Sequence, residues 1–407
     1  MKPRTTLDRS IILKARYRLL LVGGLMLFIT LQPSAWAEQR WQLDLTHSHK
    51  AGRSIAGLDA SDHHQQQAQL QAWYQNSISQ WQVSFLADQG RSSTLTERLI
   101  INEAAFTDST VHGDWLLGKK ALSFSVSYGA KPLALFSQPL SQSLSAEPEQ
   151  GYGLLIYSQF SDWHERSVLC YSDKVLQRQD YLPQKTERLS QGCGLRFYQL
   201  QEEQEWQLLG LFDQHQHWNL GLSALTTLGE AWVLHTEALW RQHSPVWQLQ
   251  PFAPPIEQSQ SSATILVGGT YATASGHQWI AEYWFDGRAW SNTQWHQLDQ
   301  QRAQLESLTE PAKSQLQRAQ TLVFNRAALR QHNLMLHWRY EANGWQPKLD
   351  LLLTDDAGWI STLGLQYKAP RAWLASVEWR QFKGDSATVY GQLPIQQQLF
   401  ARLEYQF

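Results

Sequence analysis

Histidines recur in close pairs along this chain: His47 with His49, His63 with His64, and His215 with His217. Two imidazoles at i and i+2 on a strand share a face and offer two nitrogen donors to a metal ion. A metal site needs more ligands, and the spacing assigns no third one. Solvated histidines at strand ends or in loops account for the same pattern. Hydrolytic chemistry has less behind it. Serine is plentiful, but no Gly-x-Ser-x-Gly elbow occurs. Asp355-Asp356 is a carboxylate pair in a tight turn, where Asp is favoured for turn geometry. No catalytic constellation assembles, so neither an enzyme nor a cofactor is expected.

A second group of residues could act by charge alone. In the stretch 230–241, Trp232, Leu234, Ala238 and Trp240 fall on one strand face, and His235, Glu237 and Arg241 on the other. Lys119, Lys120 and Lys131 lie close together earlier in the chain, and Glu282 follows in another alternating segment. Charges of this kind, turned into a water-filled passage, would set its ion selectivity. They could equally be solvated charges at strand ends.

These residues need strands to position them, and the clearest strand is Leu399–Phe407. Leu399, Ala401, Leu403, Tyr405 and Phe407 are apolar or aromatic, whereas Arg402, Glu404 and Gln406 are polar. Phe400 breaks the polar side. Such alternation gives one apolar wall and one wet wall. The ending on Phe407, with Tyr405 two residues before it, resembles the terminal-strand signal of Gram-negative outer-membrane barrels, with Arg402 where the stricter form has glycine. That resemblance implies outer-membrane lipid and the barrel assembly machinery as partners.

The other end reads as a secretory signal peptide. Lys2, Arg4, Arg9, Lys14, Arg16 and Arg18 precede an apolar run, Leu19–Leu31, and then Ser34-Ala35-Trp36-Ala37. Cleavage after Ala37 is expected. It removes six of 34 basic residues and one of 36 acidic residues, leaving 370 residues with a formal charge of −7. A chain without basic excess is a poor partner for nucleic acid. Twenty Trp, 14 Tyr and 14 Phe accompany abundant glutamine, as expected where strands face lipid on one side and water on the other.

About 18 alternating segments follow the leader, with 16 as the other count: a single all-β domain, 38–407, forming a transmembrane antiparallel barrel. Segments include 114–128, 230–241, 263–273 and 398–407. Connections such as 50–67, 129–150, 173–191, 242–262 and 287–331 are long and fall on one side; short turns such as Ala342-Asn343-Gly344 fall on the other. Residues 290–330 lose the two-residue period and suit two helical pieces separated by Pro311. That segment either folds into or over the lumen or forms a solvated helix pair. Cys170 and Cys193 would sit at the base of the 173–191 loop. A disulfide is compatible with an oxidising compartment, and two free thiols are the alternative.

The stretch Gly118–Leu133, with Gly118-Lys119-Lys120, Leu122-Ser123 and Pro132-Leu133, resembles a strand of porin-like and alginate-export-like outer-membrane barrels. Phe124 and Ser125 stand where tryptophan and glycine are commoner. Asp385–Pro394 looks like the last extracellular loop of that group. The resemblance implies a cell outer-membrane location and a loop that folds into the lumen. It points to a channel or export port for small polar or anionic solutes, acting by diffusion or with a periplasmic transport partner. Lys119, Lys120, Lys131, Glu237, Arg241 and Glu282 are its expected pore-lining residues. A barrel enzyme acting on lipid or surface polymer, or a plugged structural barrel, are the alternatives.

Overall fold

The structure is a computed structural model that describes residues 38–52, 63–89, 95–137, 149–175, 188–250, 253–305, 316, 321–324, 328–370 and 372–407. The leader at 1–37 and Pro311 lie outside the described residues; of the second helical piece expected after Pro311, the described part includes residue 316, which is helical, and a short 3-10 helix at Thr321–Phe324. Eighteen strands are present: β1 (Glu38–Gly52), β2 (His63–Gln75), β3 (Ser79–Gln89), β4 (Leu95–Thr110), β5 (Gly113–Lys120), β6 (Tyr152–Phe160), β7 (His164–Ser172), β8 (Gln191–Gln201), β9 (Gln204–Asp213), β10 (His217–Leu228), β11 (Trp232–Gln250), β12 (Ala253–Ala272), β13 (His277–Asp286), β14 (His332–Tyr340), β15 (Trp345–Thr354), β16 (Trp359–Lys368), β17 (Trp373–Lys383) and β18 (Ile395–Gln406). Each pairs antiparallel with its sequence neighbours, and β1 pairs with β18 to close the ring. Closure leaves no free sheet edge, which is what a sheet in hydrocarbon requires.

The two faces are inverted relative to a soluble protein. Leu45, Leu117, Leu155, Leu195, Leu363 and Val377 are among many large apolar side chains exposed on the outside. Asp44, Gln69, Ser84, Asn219, Thr362 and Gln398 are buried on the inside. The wall is therefore apolar outward and polar inward, as a lipid-embedded barrel demands.

Aromatic pairs mark one rim of the apolar band. Trp115–Tyr157, Trp232–Tyr271, Trp345–Tyr367 and Trp373–Tyr405 are directly cross-strand, with ring centroids 4.4–4.6 Å apart. All lie near the short-turn end, where amphipathic rings suit the headgroup boundary. The Asn343-Gly344 turn at that end has φ of 51° and 80°, the left-handed geometry of a tight hairpin. Phe407 completes the seam: its N–H donates to the Trp41 carbonyl at 3.0 Å, and Trp41 N–H returns the bond at 3.1 Å. Leu399, Leu403 and Phe407 are exposed on the outer wall, while Phe400 is buried on the inner one.

Two readings of the connections change. Residues 242–250 and 253–262 are strand rather than loop: β11 and β12 go on pairing past a bulge between Arg241 and Ser244, as far as Gln250 opposite Ala253. Their Ser/Gln-rich sequence hid the strand period, but Ser244 and Ser262 hydroxyls bond at 2.6 Å, and Trp247 and Leu249 pack on an apolar cluster at the mouth. The strand expected at 114–128 ends at Lys120, and the chain then leaves the wall. Cys170 and Cys193 are opposite in the β7–β8 register and joined by a disulfide.

The lipid-facing assignment predicts a position-dependent cost. Leu363→Arg, outward on β16, should destabilise the barrel by about 2–4 kcal/mol near mid-bilayer, read by urea titration in lipid vesicles. Gln366→Arg, on the opposite face of the same strand, should cost clearly less. Equal costs would refute the assignment of faces.

Candidate functional site: a loop clamped across the lumen

Residues 121–136 cross the inside of the barrel. The segment is folded back on itself, with Leu122 N–H donating to the Phe136 carbonyl at 3.4 Å and Phe124 N–H to that of Leu133 at 3.3 Å. One side of it is apolar. Phe136 is buried against Tyr152, Leu154, Leu169, Tyr171 and Leu211, with Leu122, Phe124 and Leu135 packed around them. This joins the loop to the inner face of β6, β7 and β9.

The other side is held by carboxylates. Glu237 of β11 accepts the Val126 and Ser127 N–H groups at 2.6 and 2.7 Å, the Ser125 hydroxyl at 2.7 Å and the Leu133 N–H at 3.3 Å. Glu282 of β13 accepts the Tyr128 and Gly129 N–H groups at 2.7 and 2.6 Å and contacts His235 Nε2 at 2.8 Å. Four successive backbone N–H groups thus point at two carboxyl groups, an arrangement that would otherwise bind a free anion. The fit at Gly129 is close: a Cβ there would lie 2.8 Å from both Glu282 Oε2 and Met335 Sδ, so those two side-chain ends would have to move. At the tip, Tyr128 packs on His337 with centroids 4.4 Å apart, and its hydroxyl is 3.5 Å from Asp350 Oδ1. His337 Nδ1 is itself 2.6 Å from Asp350.

The expected pore-lining residues separate accordingly. Glu237 and Glu282 are inward but 0 % and 1 % exposed, so they anchor the loop rather than line open water. Lys119 is also fully buried at 1 %. Lys120 donates to Gln80 at 3.2 Å, beside Glu103. The three lysines do not form one patch, because the chain departs from the wall after Lys120 and carries Lys131 across the lumen. Lys131 sits there with a φ of 46°, a left-handed geometry that is uncommon for a side-chain-bearing residue. It lines a cavity of about 120 Å³ with Arg188, Arg241, Arg288 and Asp286. Asp286 binds Arg288 at 2.6 Å. Arg188 and Arg288 belong to long connections and carried no strand-face signal in the sequence.

The mouth at the long-loop end is organised by helix α1 (Asn292–Leu305). It is not a solvated surface helix: Trp295 and Leu298 are buried in a cluster with Trp290, Ile360, Phe382 and Tyr390. Arg330, 1 % exposed, bonds Asp355 at 2.6 Å and also donates to Asn292. Asp356 accepts from Thr354 Oγ1 at 2.7 Å, Val389 N–H at 2.8 Å and Gly358 N–H at 3.0 Å. The Asp355-Asp356 turn thus ties three connections together. Burial disfavours the Asp356 charge, but the Val389, Thr354 and Gly358 bonds and Arg330 outweigh it and hold its pKa below the usual carboxylate range.

Serine–histidine contacts do occur, but not in a hydrolase order. Ser190 Oγ lies 2.7 Å from His215 Nδ1, while Asp213 contacts Ser190 and backbone N–H groups. Among the described residues, no carboxylate is placed on the far nitrogen of that imidazole to orient it.

An 18-stranded closed barrel with a loop folded into its lumen belongs to the class of porin-like outer-membrane barrels. Comparison with solved structures agrees at the level of fold. Pseudomonas aeruginosa OccK5 (OpdH) matches with a TM-score of 0.57 at 8 % identity, covering 92 % of this chain and 98 % of its own. OccK1 (OpdK) of the same organism gives 0.55 at 9 % identity, covering 91 % and 98 %. OccK2 (OpdF), solved in complex with glucuronate, gives 0.53 at 10 % identity, covering 91 % and 98 %. OpdK has also been solved with vanillate. No protein-family model matches the sequence, and no curated protein is significantly similar.

Two outcomes follow. Replacing both anchors, Glu237→Gln and Glu282→Gln, removes charge-assisted bonds worth about 1.5–3 kcal/mol each, and should raise single-channel conductance and open-channel noise. Unchanged traces from folded protein would refute the clamp. A depressed pKa means that Asp356 stabilises the mouth at neutral pH and that this stability is lost as pH falls through the folded pKa, on the acid side of the usual carboxylate range. Proteolysis of the long connections should therefore rise steeply only in strong acid, whereas Asp356→Asn should be nicked at neutral pH as well.

Proposed function

We propose that this barrel is an outer-membrane channel for small anionic solutes, with residues 121–136 forming its constriction. The observation that carries this reading is the cavity beside that loop. Lys131, Arg188, Arg241 and Arg288 converge on it from three connections and one strand, and among the described residues Asp286 is the one carboxylate in the lining. Four cations against one anion in a restricted, partly dehydrated space favour anion entry and oppose cations. Glucuronate and vanillate, the molecules found with OccK2 and OpdK, are both carboxylates, which supports the same class here. Solute moves by diffusion in this reading, and the outward face of β18, including Leu399, Ala401, Leu403, Tyr405 and Phe407, is the surface met by the assembly machinery.

The test is ion selectivity of the refolded protein, residues 38–407, in planar bilayers under a salt gradient. The reversal potential should show anion preference. Lys131→Ala should lower the anion-to-cation permeability ratio about fivefold, since one charge at close range is worth ~1 kcal/mol even in water. Cation preference, or no conductance from heat-modifiable folded protein, would overturn the proposal.

A further inference from the structure

The inner wall of β1 to β3 carries one residue that a purely polar lining does not explain. These strands hold three tryptophans, Trp41, Trp73 and Trp81. Trp41 shares strand parity with Leu43 and Leu45, and Trp81 packs edge-on against the exposed Phe106, so both belong to the outer face. Trp73 is opposite Arg40 on β1 and Gln82 on β3, and it shares parity with Gln67 and Gln69, which are buried inside. It is the inward tryptophan of the three. A large aromatic ring among a few polar side chains is the usual make-up of a small-molecule site.

Trp73 stands at the short-turn end of the lumen, in a cavity of about 310 Å³ that Glu38, Arg40, Gln42, Gln75 and Gln406 also line. Ligand pockets occupy roughly 300–1,000 Å³. Its polar groups are held in place by the wall itself. Gln42 Nε2 donates to Asp44 at 2.9 Å, Gln406 Nε2 to Glu404 at 2.9 Å, and Arg40 Nε to Glu38 at 2.8 Å. Such preorganisation lowers the cost of binding. In ring order β1 lies opposite β10, so this cavity is on the other wall, and at the other end, from the one that Lys131 and Arg241 line.

The two cavities also differ in charge. Among the described residues Glu38 and Arg40 are the charged lining here, one of each sign, against four cations and one carboxylate there. A site without net charge has little to attract an anion. Amide, guanidinium and carboxylate groups offer paired donors and acceptors, which suit neighbouring hydroxyls. An indole face offers an apolar platform, which suits C–H groups. A pyranose ring has hydroxyls around its edge and C–H bonds on its face, and so meets both. We propose that Trp73, Arg40 and the glutamines around them form a binding site for neutral saccharides where the lumen opens at its short-turn end. The assignment does not rest on anion selectivity elsewhere in the barrel.

The test uses protein purified from outer membranes after expression of the full-length chain, in an amine-oxide detergent without sugar headgroups. The probe is methyl β-D-glucoside, followed by saturation-transfer difference NMR with irradiation of aromatic protons alone, a readout that needs no conductance. Transfer to the C–H protons of the sugar ring should rise and saturate as the glucoside is added. Glucuronate, the same ring with a carboxylate, should bind no more tightly. Trp73→Ala should weaken glucoside binding at least about tenfold, as loss of an aromatic anchor does, and Trp73→Phe should restore part of it. Arg40→Ala, at a side chain 68 % exposed and so tolerant of replacement, should weaken binding as well and gives a second variant if Trp73→Ala does not fold. Trp81→Phe, outward on β3, should change nothing. Absence of saturable transfer in folded wild-type protein would overturn the site. So would unchanged binding by Trp73→Ala or Arg40→Ala, or tighter binding of glucuronate than of the glucoside.

Discussion

In hydrocarbon a backbone N–H or C=O without a partner costs several kcal/mol, and water is not there to supply one. That single constraint organises this molecule. Every strand needs two neighbours, so β1 must find β18 across the whole length of the chain, and the Trp41–Phe407 bonds finish the seam. Once the ring is closed, the strand period does the rest. Outward positions meet lipid and are apolar, while inward positions meet water or each other and are polar.

An interior built from polar side chains then becomes a surface on which loops can be fastened. A greasy core would have held residues 121–136 by shape alone. Here one side of that loop is seated on Tyr152, Leu169 and Leu211, and the other is held by carboxylates. Glu237 and Glu282 point inward, yet their carboxyl oxygens are taken up by backbone N–H groups of the loop. The same fastening carries Lys131 to a cavity that it lines together with Arg188, Arg241 and Arg288.

The mouth follows the same logic with the proportions reversed. Trp290, Trp295, Leu298, Ile360 and Phe382 make an apolar cluster, and Arg330 with Asp355 and Asp356 ties its edges. Helix α1 is weakly patterned as a helix, which is why its sequence allowed both a surface role and a packed one. Its two buried positions, Trp295 and Leu298, find their partners on strands β16 and β17 and on connections far away in sequence.

By itself the sequence determined the wall. Period-two alternation, Trp and Tyr near strand ends and Asn343-Gly344 at a turn are local properties, each written in a few consecutive residues. They carried the strand number, the antiparallel order and the apolar outer face. Only the tertiary structure decided the contents of the lumen and the groupings on the wall. Lys120 and Lys131 are close in sequence but part company because the chain leaves the sheet between them. Lys131 and Arg241 come to line the same cavity, and His64 stacks beside His47 and His49 through strand register. Alternation specifies which side of a sheet a residue faces, but it contains no term for which distant residue will face it.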